Sequence, residues 1–460
     1  MTAYQDYKPL TFHDATPRFR DGSDTPRAYL ERCLETIAAR EPVVKAFTAI
    51  NEAGARTAAD ASAARWKQGK PLSPIDGMPL AIKDLLETKD MPTEMGCAAF
   101  KGNFPKRDNA AVWALRQAGA VILAKAVTAE LGGSHPGAST NPFDPARTPG
   151  GSSSGSAAAV GANMVPAAIG TQVGGSIIRP AAYCGNFALK PTQGGINRGE
   201  RQATSQSTHG PHAGSLEDMW QVAIEIAQRA GGDRGAVGLM GPSTLPVSSK
   251  PNRLIVLETE GWPDVDAATK DGFEAVLKQL RDAGVALIRR KDHPLVEALE
   301  QSIANGRAVC NGVTSWENRW GQRGIVDNNP AGVSERAKAT LARAEAMKSG
   351  SRKVLEQKAQ QLTGGLSSAV GHAGRSVYGW HVAEGRADIF LTYCTGALVA
   401  QRENAGQQIV ALPEALAVGA DYGMAVMNDS PPAAYRFALF IVSSKGQQIL
   451  AKHGFAAPVR

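Results

Sequence analysis

The chain has 460 residues, 43% of them hydrophobic and 20% charged, proportions of a soluble globular protein large enough for one α/β core with an appendage or for two domains. The formal net charge of +7 is spread along the sequence, and its densest basic run is the short Arg289-Arg290-Lys291, which argues against a nucleic-acid partner and for a solvated basic surface. Five cysteines, far apart and without a CxxC pair, speak against a disulfide scaffold or a zinc site and for a reducing compartment.

The opening MTAYQDYKPL has no apolar h-region, and no stretch approaches the ~20 uninterrupted apolar residues of a membrane span. The expected location is cytoplasmic, with no membrane partner. Residues 25–41 put Tyr29, Leu30, Cys33, Leu34 and Ile37 on one face of an amphipathic helix that starts at Thr25-Pro26. In PLAIKDLL, Leu80 and Ile82 suggest a buried strand that delivers Lys83 at its end. Residues 109–119 read as helix, residues 118–127 (AGAVILAKAV) as a buried parallel strand, and residues 132–151 as turn-rich loop. From Pro251 the rhythm repeats: strand NRLIVLE, a helix closed by Gly284, strand VALIRR, then a helix over residues 334–362 capped by Ser334 with Glu335 in its first turn. Alternating helices and short apolar strands predict an α/β fold, a mixed and mostly parallel twisted sheet with helices on both faces.

The chemistry concentrates between Gly150 and Arg179, in GGSSSGSAAAVGANMVPAAIGTQVGGSIIR. Two serine-bearing glycine turns flank an Ala/Val-rich segment, and Ser152 precedes Ser176 by 24 residues. Alone, a Gly-Gly-Ser is usually a turn, GGSSSGS reads as a linker or phosphate loop, and Lys83 as a solvated strand-end lysine. No lysine follows the glycines in the GxxxxGK[ST] arrangement, which removes the phosphate-loop reading. A serine nucleophile needs a proton acceptor and donors for the oxyanion. No GxSxG elbow with a downstream acid and histidine is present. His209 and His212 in THGPHAGS read as loop or core histidines.

Taken together, AIKD, GGSSSGS, VGGSIIRP and the following Cys184-Gly185 and Leu189-Lys190-Pro191-Thr192 (CGxxxLKPT) occur in the order and spacing of the amidase signature family, which the chain resembles. The resemblance implies a metal-free, cofactor-free serine hydrolase. Ser176 would be its nucleophile, Ser152 a bridging serine after a cis Gly151–Ser152 peptide, and Lys83 a neutral base. Backbone amides of Val173, Gly174, Gly175 and Ser176 would form the oxyanion hole, Ser153, Gly151, Gln172 and Arg179 would support it, and Leu131 and Gly132 would touch substrate. The apolar residues Ala129, Pro136 and Phe143, with Trp316, Trp320 and Ile325, would line an acyl or aryl pocket or belong to the core. Where the family usually reads GTDTGGSIR this chain reads GTQVGGSIIR. Gln172 replaces an aspartate and Arg179 stands one place late, so a supporting ion pair gives way to a neutral hydrogen-bonding residue.

The family-like body spans residues 1–362, with its signature core at about residues 80–220. Residues 363–460 (ADIFLTY, QQIVALP, DYGMAVM and a helix from Pro431) resemble part of a periplasmic-type molybdate-binding lobe, and are expected to complete the sheet with replacement strands. The function expected is hydrolysis of linear amides, with carbamates (urethanes), aryl amides or esters as further substrates. The partner is then a small-molecule substrate and the protein a monomer or homodimer. The alternatives are an oxyanion-binding protein on an inactive amidase scaffold, and an A-type component of an amidotransferase.

Overall fold

The computed structural model describes residues 7–133, 135–199, 204–347 and 394–406, together with Lys445 and Gln448. The chain divides into two units, Met1–Ala359 and Gln360–Arg460. In the second, Cys394–Glu403 is helical, while ADIFLTY, QQIVALP, DYGMAVM and the helix expected from Pro431 lie outside the described residues.

The first unit begins with helices α1 (Thr16–Asp21) and α2 (Pro26–Val44), strand β1 (Phe47–Ile50) and helix α3 (Glu52–Lys67). Thr25 caps α2 as its sequence foretells: its Oγ1 accepts from Ala28 N at 3.1 Å, and Pro26 occupies the first helical position, where no N–H is needed. All five residues of the expected apolar face are buried. Next come β2 (Pro79–Lys83), α4 (Ala110–Gln117), β3 (Val121–Ala126), α5 (Ser154–Gly161), β4 (Ala167–Gln172), α6 (Ile178–Tyr183), β5 (Phe187–Ala188), β6 (Thr208–Ala213) and α7 (Leu216–Ala230).

These six strands form one mixed sheet in the order β1-β3-β2-β4-β6-β5. Its centre, β3-β2-β4, is parallel, whereas β1, β6 and β5 run antiparallel to their neighbours. Strand direction at the flanks was not readable from apolar runs, because buried strands look alike in either direction. Alternation along β2 and β4 sends Leu80, Ile82, Ala167 and Ile169 into a core with α4 and α7, and Ala81 and Ala168 into a second core with α5 and α2. Helices therefore cover both faces, as expected.

A smaller two-stranded parallel sheet, β7 (Arg253–Ile255) and β8 (Ala286–Ile288), is joined through α8 (Ala267–Asp282), which ends ahead of a left-handed Gly284. Helices α9 (Pro294–Ile303), α10 (Gly306–Asn328) and α11 (Glu335–Glu345) follow. Ser334 caps α11, its Oγ accepting from Ala337 N at 3.2 Å. The described helix runs to Glu345, and the part of the expected helix from residue 348 to residue 362 lies outside the described residues. Among the described residues no helix is long and apolar enough to cross a membrane.

Candidate active site

Lys83 is the last residue of β2, on the face that carries Ala81 against α5, and it is fully buried. Its Nζ sits within hydrogen-bonding distance of Ser152 Oγ (2.7 Å), Thr171 Oγ1 (2.9 Å), Ser153 Oγ (3.0 Å) and the Thr171 carbonyl (3.3 Å). Every partner is an uncharged oxygen. Burial without a counter-charge pushes the ammonium well below the ordinary lysine range. The carboxylate next in the chain turns elsewhere: Asp84 Oδ1 is 3.0 Å from Lys125 Nζ, and that lysine also donates to Thr93 Oγ1 and to the carbonyls of Leu86 and Pro92.

The first serine turn leads into α5. The Gly151–Ser152 peptide is cis, and both Ser152 and Ser153 are buried. Ser153 occupies the position preceding α5 yet makes no cap with its side chain. Its hydroxyl is committed to Lys83 and to Thr171, whose N–H donates to it at 3.2 Å. Ser153 N donates to Ser176 O at 3.3 Å, which brings the two turns together.

The second turn connects β4 to α6 and leaves Ser176 half-buried. Gly175 has φ +118°, a backbone conformation that disfavours side chains. Gln172 Oε1 accepts from Ile177 N (2.8 Å) and Ile178 N (3.0 Å), tying the end of β4 to the start of α6 across the serine loop. A neutral amide oxygen thus holds two backbone donors without bringing a charge into the site. Arg179 does not pair with Gln172; its Nη2 donates to Gly151 O at 2.6 Å. Among the described residues, the N–H groups of Val173, Gly174, Gly175 and Ser176 have no protein acceptor, the condition a set of oxyanion donors must meet.

Leu131 and Gly132 both adopt positive φ in a short turn beside the site. A Cβ built on Gly132 would lie 4.0 Å from Ser152 Oγ, and one on Gly174 would lie 3.8 Å from Cys310 Sγ of α10. The expected aromatic lining is mixed. Trp316 is covered by the Arg319 guanidinium at 3.6 Å, Phe143 packs edge-on to Tyr7, and Trp320 is 82% exposed, so core packing does not account for it. Pro136 is exposed, Ile325 half-buried and Ala129 buried. His209 and His212 lie fully buried on β6 in the sheet, not on a loop.

Two contributors were missed in the sequence. Thr171 supplies two of the four oxygens around Lys83; its signal was its place at the end of a strand parallel to β2, directly before Gln172. The Asp84–Lys125 pair was missed because Asp84, just past the end of β2, and Lys125, on the neighbouring β3, are far apart in sequence.

The family described as amidase matches residues 28–366. The chain is 36% identical over 294 residues to the A component of the glutamyl-tRNA(Gln) amidotransferase of Chloroflexus aurantiacus, an alignment covering 61% of this chain and 60% of that protein. Among solved structures, an amidase crystal structure superposes with a TM-score of 0.65 at 25% identity, over 77% of this chain and 78% of the other. The native peptide amidase of Stenotrophomonas maltophilia, at 24% identity and a TM-score of 0.60, covers 78% of this chain and 80% of its own, and shares the fold.

Proposed function

The chain belongs to the amidase family, and from that premise we propose that it is a serine hydrolase cleaving C–N bonds of amides, with Ser176 as nucleophile, Ser152 as bridge and Lys83 as base. The observation that carries this reading is the contact between Lys83 Nζ and Ser152 Oγ at 2.7 Å, inside a buried cage without a carboxylate. A neutral amine has one lone pair and two N–H groups. The lone pair takes the Ser152 proton while the N–H groups stay on Ser153 and Thr171. Ser152 in turn takes the proton of Ser176, whose oxygen attacks the substrate carbonyl. The tetrahedral oxyanion accepts from the amides of Val173, Gly174, Gly175 and Ser176. On collapse, the leaving amine draws a proton from Ser152, which regains one from Lys83, and water then repeats the sequence on the acyl-enzyme.

Carbamates, aryl amides and esters form the same tetrahedral intermediate and belong to the proposed range. The chain spans about 60% of the length of the amidotransferase relatives it matches. That likeness supports a second reading, as the glutamine-hydrolysing part of such an assembly. Turnover of a panel of anilides, aliphatic amides, carbamates and esters by wild type and Ser176→Ala tests the first reading: loss of all turnover in the variant is expected, and unchanged rates overturn it. Co-purification with a transamidation partner, together with hydrolysis of glutamine alone in the panel, would favour the second.

A further inference from the structure

Arg179, in the first turn of α6, stands where both serine turns meet solvent. Its Nη2 donates to the carbonyl of Gly151, the residue before the bridging serine, at 2.6 Å. Its backbone N–H donates to Gly175 O, one residue before the nucleophile, at 2.9 Å. The side chain folds back over that same glycine: a Cβ built on Gly175 would lie 3.2 Å from Arg179 Nη1. Arg179 and Gly174 are exposed, and Gly151, Gly175 and Ser176 are half-buried. The guanidinium therefore sits on the open side of the turns that carry Ser152 and Ser176.

Its charge has no counterpart there. The bond to Gly151 O is the only side-chain hydrogen bond of Arg179 among the described residues, and none of their carboxylates pairs with it. Arg198, by contrast, holds Asp233 at 2.5 Å. Gln172, where the family usually has an aspartate, is neutral, and its Oε1 is taken by Ile177 N and Ile178 N. The nearest acidic neighbour of Lys83 in sequence, Asp84, is turned to Lys125. A guanidinium carries five N–H groups, so four remain after Gly151, and a single carbonyl neutralises none of the charge.

We propose that Arg179 is a carboxylate receptor of the active site, and that the preferred substrates are small amides with a carboxylate close to the scissile C–N bond. This rests on the reading of Ser176 as the nucleophile. The planar fork of a guanidinium matches the two oxygens of a carboxylate. The oxygens around Lys83 are uncharged, so a substrate anion meets no repelling charge among them, whereas a substrate ammonium would meet Arg179. Gln172 is what keeps the receptor open, because an aspartate in its place would compete with the substrate for the cation. Arg179 touches the residue before each serine, so a carboxylate held there lies close to the reacting bond. It belongs either to the acyl part, as in the half-amide of a short dicarboxylic acid, or to the leaving amine, as in an N-acyl amino acid.

The test is kcat/KM on two isosteric pairs, succinamate with isocaproamide and N-acetylglycine with N-isobutylacetamide, for wild type, Arg179→Gln and Arg179→Glu. Wild type should favour the anionic member of at least one pair by about 10–100-fold, the worth of hydrogen bonds to a charged group, and that pair shows which side carries the carboxylate. Arg179→Gln should bring the ratio within that pair toward one, chiefly through the KM of the anion. Arg179→Glu should invert it. If neither variant folds, wild type alone decides: the anionic advantage should shrink as salt is raised, and an advantage that salt leaves untouched overturns the receptor. No anionic advantage in wild type, including no turnover of either anion, overturns it too. So does a ratio that survives Arg179→Gln with both members losing alike, the mark of a plain brace between the turns. Turnover that survives Ser176→Ala overturns the nucleophile reading instead, a distinct result.

Discussion

Lys83 Nζ and Ser152 Oγ meet at 2.7 Å with both residues shielded from solvent, and no carboxylate stands among the oxygens around the amine. Burial without a counter-charge favours the neutral amine there, with its lone pair free to take a proton. The consequences are measurable in both rate and stability.

Lys83→Met should lower turnover by orders of magnitude and at the same time stabilise the fold near neutral pH. The folded-state pKa of Lys83 lies below its unfolded value of about 10.4. Between the two, the unfolded chain binds the extra proton, so stability rises with pH through that window and the burden is greatest on its acid side. Thermal melting across pH checks this: the methionine variant should melt higher at pH 7, and the gap should close as pH approaches the free-lysine value. The same lysine sets the acid limb of kcat/KM, which should rise as Lys83 loses its proton.

Lys125→Met should be strongly destabilising. It strands Asp84, 1% exposed, without the cation 3.0 Å away, and breaking a buried pair on one side costs about 3–5 kcal/mol. The stranded carboxylate, next in sequence to Lys83, would also favour the ammonium there and move the acid limb of activity upward. The double substitution Lys125→Met with Asp84→Asn should recover most of the loss, as read by denaturant midpoints.

Gln172→Leu removes the acceptor shared by Ile177 N and Ile178 N at 2.8 and 3.0 Å. An unmatched donor costs about 1–3 kcal/mol. Because the bonds span the Ser176 loop, the loss should fall on kcat more than on KM. Gln172→Glu keeps an acceptor but puts an anion beside a developing oxyanion, and should fold normally while turning over more slowly. Steady-state kinetics with one anilide separates the two outcomes.

Lys83→Ala should cost about 10²–10⁴-fold on an anilide and less on the matching ester, since an amine leaves only when protonated and an alkoxide or phenoxide depends on that proton less. The ratio of kcat/KM for an ester and amide pair, in wild type and variant, reads this difference directly.

Much of this site was legible in the sequence. Lys83 ends a strand because Leu80 and Ile82 alternate with Ala81, and the turns at Gly151 and Gly175 announce themselves through their glycines. What was hidden depends on which strands become neighbours. Thr171 reaches Lys83 only because β4 lies parallel to β2, and His212 comes to lie opposite Ala168 only because β6 pairs with β4 in one register. The replacement of the usual aspartate by Gln172 was visible, but its two backbone partners were not, since they depend on how the chain turns at Ser176.

The most direct measurement is intact-mass and peptide-mapping analysis of protein quenched early in the hydrolysis of an activated aryl ester. The acyl group should appear on Ser176 alone, accumulate in a burst, and be absent from Ser176→Ala. Acylation at another residue, or undiminished turnover by Ser176→Ala without any adduct, would contradict the account.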